Sequence, residues 1–116
     1  MKDTIAYIET DKKKYPIVFN LNVMEEIQEQ YGSLDAWGEK TQGKGEPNVK
    51  DLKVGVMAMI NEGIDIENEK NGTSEPFINA KQVGRIISEV GFATVLNAIK
   101  ELTVKSTKSE GDSKNE

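Results

Sequence analysis

Asn20 to Gly38, NLNVMEEIQEQYGSLDAWG, decides how the rest of the chain is read. Asn22 can cap a helix, and Glu25 three residues later can return a bond to its backbone. Met24, Ile27 and Tyr31 follow at helical spacing and predict one shared apolar face. Glu25, Glu26, Gln28, Glu29 and Gln30 fill the opposite, acidic side. Gly32 suits a left-handed helix stop, and Ser33 can cap a second short turn over Leu34 to Trp37. Trp37, the single tryptophan, is expected to anchor the core beside Tyr31 and Leu34.

Upstream, TIAYIET (4–10) and YPIVFN (15–20) are rich in β-branched and aromatic residues, and Asp11 to Lys14 separate them. They predict a β-hairpin with Ile17 and Phe19 on one face, Val18 on the other, and Pro16 on an edge. Two strands alone are marginal in water, so the hairpin must pack on helices or extend a partner's sheet. Lys12, Lys13 and Lys14 are read as solvation of the turn.

Downstream, EKTQGKGEP (39–47) reads as a polar linker. Its two glycines around a lysine lack the spacing and the Lys-Ser/Thr ending of a phosphate loop. Asn48 caps the next helix, with Asp51 at the reciprocal position. Val49, Leu52, Val56, Met59 and Ile60 make one face, and Val54, Met57 and Ala58 the other. A helix apolar nearly all round is either sandwiched in the fold or offers a face to a partner. Gly63 is expected to end it. In IDIENEKNGTSEP (64–76), Asp65, Glu67 and Glu69 alternate before Asn71-Gly72. A calcium-loop frame from Glu67 puts Gly72 at the sixth position, but Ile78 where the bidentate glutamate belongs, so a solvated loop is expected. Asn79 caps a further helix, with Gln82 reciprocating and Val83, Ile86, Ile87 and Val90 as its stripe. Gly91 breaks it, and Phe92, Val95, Ile99 and Leu102 continue in a last segment. KSTKSEGDSKNE (105–116) has no apolar residue and predicts a disordered tail of mixed charge.

These elements describe an α+β, mainly α protein: an N-terminal β-hairpin on a small bundle of three to four helices. Residues 1–104 form one domain and 105–116 the tail. The expected core is Ile17, Phe19, Ile27, Tyr31, Trp37, Leu52, Val56, Ile60, Ile86, Ile87, Val90, Val95 and Ile99.

Composition narrows the function. The 116 residues carry a net charge of -5 and no cysteine or histidine. Disulfides, thiolate sites, the commonest general base and the commonest metal ligand are thereby excluded. With a pI near 4.9, a broad phosphate-binding surface is not expected, hence no nucleic-acid partner. No apolar run approaches the roughly 20 residues of a membrane span, and MKDTIAY lacks an apolar signal region, so no membrane association and an intracellular location are expected.

Taken in order, NVMEEIQEQYGSLDAWGE, MINEGIDIENEKNGTSEPF, KQVGRIISEVG and VKSTKSE resemble the tail assembly chaperones of siphophages and prophages of Gram-positive bacteria. The resemblance spans about Tyr15 to Thr107, and its specificity lies in the order of the segments rather than in any catalytic motif. It implies a mainly helical fold with a small β element, acting in the host cytoplasm. It also implies binding to the tape measure protein, which is kept soluble while tail tube subunits polymerise around it, and absence from the finished tail. The tail tube protein is a second candidate partner, and homo-oligomerisation is left open. Such genes commonly also yield a longer, frameshifted product, of which this sequence would be the short form. No cofactor, metal site or catalytic residue is implied. From the residues themselves, Val54, Met57 and Ala58 are the candidate partner-binding positions, with Glu25, Glu26 and Glu29 supplying solubility. The competing readings are a minor structural component retained in the virion and an enzyme using Asp65, Glu67 and Glu69, from which the lack of histidine and cysteine points away.

Overall fold

The computed structural model describes residues 5–43 and 45–115, with side chains through Val104. Two strands, β1 (Ile5–Glu9) and β2 (Lys14–Val18), precede five helices: α1 (Leu21–Tyr31), α2 (Leu34–Gln42), α3 (Val49–Asn71), α4 (Ala80–Val90) and α5 (Phe92–Asn115). The expected α+β, mainly α architecture is what forms. Thr4 and Lys44, from the expected hairpin and linker, lie outside the described residues.

The strands pair antiparallel, Ile5 opposite Val18 and Tyr7 opposite Pro16. Thr10 closes the turn: its hydroxyl donates to the Lys13 carbonyl at 2.9 Å and accepts from the Lys13 N–H at 3.1 Å. The turn lysines are exposed, Lys13 pairing with Glu75 at 3.6 Å and Lys14 lying over the Tyr7 ring. Ile17, Val18 and Phe19 are all buried, so Val18, which the expected core left out, belongs to it as well. The strand is wedged between β1 and the middle of α3, and both of its faces are covered. Among the described residues the sheet has two strands, so β2 is an edge strand, where Pro16's missing N–H is tolerated.

That wedge also explains why Gly63 does not end α3. A Cβ at Gly63 would lie 2.9 Å from the Pro16 carbonyl oxygen, so the glycine serves the close approach of helix to strand. The helix runs on to Asn71 and stops at Gly72, which adopts φ 67. Asp65, Glu67 and Glu69 therefore stand on a helix, not in the expected solvated loop. Leu52, Val56, Met59, Ile60 and Ile64 are buried along α3, which makes it the central element.

Local signals place most helix starts. The Ala36 N–H donates to the Ser33 hydroxyl at 3.0 Å, and the Asp51 N–H to the Asn48 side chain at 3.1 Å. Asn79 and Gln82 form a complete capping box. For α1 the cap is Asn20, not the expected Asn22: the Val23 N–H donates to Asn20 Oδ1 at 3.2 Å. The side-chain amides of both asparagines donate to the Glu62 carboxylate, each at 2.9 Å, which ties the start of α1 to α3. The turn expected over Leu34 to Trp37 extends as α2 to Gln42, and Thr41 is buried with its hydroxyl donating to the Trp37 carbonyl.

Of the expected core, Tyr31 and Val90 are only half-buried, whereas Ile8, Val23, Met59, Ile64, Ile78 and Leu102 join it. Phe92 is exposed rather than part of the α5 stripe. Among the described side chains of α5, Leu102 is the last that is buried. The helix continues to Asn115 through the stretch read from composition as disordered, whose side chains lie outside the described residues.

Candidate partner-binding groove

Asn61 and Asn68 lie seven residues apart on α3, two turns along one face. Asn61 accepts the Ile78 N–H at 2.9 Å and donates to the Ile78 carbonyl at 3.1 Å. Asn68 accepts the Glu75 N–H and the Thr73 hydroxyl, each at 2.9 Å, and donates to the Glu75 carbonyl at 3.0 Å. These amides satisfy the backbone of the α3–α4 connection much as a neighbouring strand would, and pin it along the helix. Because successive side chains of an extended segment point oppositely, Ile78 turns into the core and Phe77 turns out, 58% exposed. Ile78 and Val83, both buried, stand at the N′ and N4 positions of α4, the spacing of a hydrophobic staple.

Phe77 forms one side of a groove of about 300 Å³, completed by Met57, Ala58 and Asn61 of α3 and by Glu26 of α1, with Glu62 and Asp65 on its rim. Its lining holds three carboxylates and no lysine or arginine. The two asparagine donors from the start of α1 orient the Glu62 carboxylate. Of the candidate partner residues, Met57 is half-buried in the groove and Ala58, 7% exposed, is its floor. Val54, one turn earlier, is half-buried and outside the lining. Phe77 is absent from the candidate positions that the sequence suggests. Its signal is the adjacent pair Phe77-Ile78 just before the Asn79 cap, where alternation forces one of two large apolar side chains outward.

Other polar contacts knit the fold together. The Tyr31 hydroxyl donates to Asp51 at 2.6 Å; burial, helped by that bond, pushes its phenol up to about 12. Trp37 Nε1 donates to the Asp51 carbonyl at 2.8 Å, and the Tyr7 hydroxyl to Glu67 at 2.6 Å. Among the described residues no cluster of acidic side chains is arranged to hold a metal ion, and no helix is long and apolar enough to cross a membrane. No family model matches the chain, and neither does any curated protein or solved structure.

Proposed function

We propose that this chain is a phage tail assembly chaperone that binds the tape measure protein in the host cytoplasm and keeps it soluble while the tail tube polymerises around it. Besides the family resemblance, the observation that carries this reading is the exposed Phe77 held beside half-buried Met57. Burying such a side chain would contribute roughly 1.5–3 kcal/mol. Here the amide bonds of Asn61 and Asn68 hold the segment bearing Phe77 so that the ring stays in water. An aromatic beside a methionine, in a groove on a rigid helix, suits capture of an apolar helical stripe. Exposed Glu25 and Glu29 on α1 would keep the loaded complex dissolved, while Glu26 lines the groove itself. Co-expression with the tape measure protein is the test. Wild type should bring it into the soluble fraction, and Met57→Glu should not, while keeping a native circular dichroism spectrum. A tape measure protein equally insoluble with and without the wild-type chain sinks the reading.

A further inference from the structure

The groove also specifies the charge of its occupant. Glu26, Glu62 and Asp65 line the groove with the apolar Met57, Ala58 and Phe77, and among the described residues its lining holds no cation. Among the described residues the one ion pair, Lys13 with Glu75, lies elsewhere, and none joins a cation to these carboxylates. Glu26 and Asp65 are exposed, and Glu62 is fixed by two amide donors rather than neutralised. We infer that the groove receives an amphipathic helix whose apolar stripe is flanked by lysine or arginine. The stripe packs on Phe77 and Met57, and the flanking cations pair with the three carboxylates.

Charge complementarity and composition favour this occupant over the alternatives on the molecule. Residues 105–116, KSTKSEGDSKNE, have no apolar side chain with which to fill the groove. A second copy would bring another net charge of -5 to an acidic rim. Electrostatic pairing at a rim sets partner choice and on-rate more than raw affinity, so selection between clients of opposite charge is what this geometry provides. The inference rests on the proposed chaperone reading for its biological setting, but its test is independent of the tape measure protein.

Two labelled helical peptides share a leucine stripe, one flanked by lysines and the other by glutamates. Their binding to the full chain is followed by fluorescence anisotropy. At low salt the lysine peptide should bind at least about tenfold more tightly, the factor that a few exposed ion pairs supply together, and the gap should close as salt rises. Phe77→Ala, at an exposed position, should weaken both peptides at least about tenfold without changing the fold. The double variant E26K/D65K should reverse the preference. Equal binding of the two peptides, or unchanged affinity in Phe77→Ala, overturns the inference. So does a self-association in sedimentation that Phe77→Ala abolishes, because a second copy would then be the occupant. If the peptides behave as stated but the tape measure protein is not solubilised, the chaperone reading fails and the groove's specificity stands. If Phe77→Ala still solubilises the tape measure protein, the chaperone reading stands and its surface lies elsewhere.

Discussion

Replacing Gly55 by alanine tests how α3 and α2 are fitted together. Gly55 is buried in the middle of α3, and a Cβ there would overlap the Trp37 ring, coming within 2.9 Å of its indole nitrogen. Trp37 is 3% exposed and its Nε1 donates to the Asp51 carbonyl at 2.8 Å, so the ring has little freedom to retreat. Overpacking of this kind costs about 1–3 kcal/mol, and losing the indole bond adds about 0.5–1.5. Alanine's better helix propensity returns roughly 0.8–1.0 kcal/mol. The net expectation is a destabilisation of about 1–3 kcal/mol. Gly38 provides the matched control. It lies inside α2 with nothing within 4 Å of an added Cβ, so Gly38→Ala should stabilise by about 0.5–1 kcal/mol. Urea unfolding followed by fluorescence reads both variants directly, because Trp37 is the only tryptophan. A Gly55→Ala protein as stable as wild type, with an unshifted emission maximum, would refute the packing of α2 on α3 described here.

Two further expectations concern the core and alkaline pH. Ile60 is fully buried on α3, so Ile60→Ala should cost about 2–5 kcal/mol, and a melting temperature within a degree or two of wild type would contradict a central α3. Tyr31 holds its proton more tightly folded than unfolded, so its contribution is complete below its ordinary pKa of 10.0 and is lost as pH rises towards about 12. The stability difference between wild type and Tyr31→Phe should therefore shrink across that interval, and a difference that stays flat would argue against the Tyr31–Asp51 bond.

The candidate groove was half legible in the sequence. Met57 and Ala58 stood out because the part of α3 before Gly63 reads as apolar nearly all round, and a helix of that kind must either be enclosed or offer a face. Phe77 did not, since its exposure depends on Asn61 and Asn68 binding the backbone of Ile78 and Glu75 from α3. An asparagine at a helical position carries no mark of a distant backbone partner.

The same division runs through the fold. Ser33, Asn48, Asn79 and Gly91 were readable because a cap or a break is made by residues within a few positions of it. Stripes such as Val83, Ile86 and Ile87 were readable because helical periodicity alone brings them to one side. What required the tertiary structure was every choice between equivalent local signals. Asn20 and Asn22 are both competent caps, and the structure starts the helix at Asn20, with Glu62 of α3 accepting from both side chains. Gly63 and Gly72 can both stop a helix. Only the strand lying against Gly63 shows that its missing side chain makes room for Pro16, while Gly72 takes the left-handed turn. Short-range hydrogen bonds are written in the neighbouring residues, whereas the closeness of two backbones depends on which segments meet, and the packed core decides that.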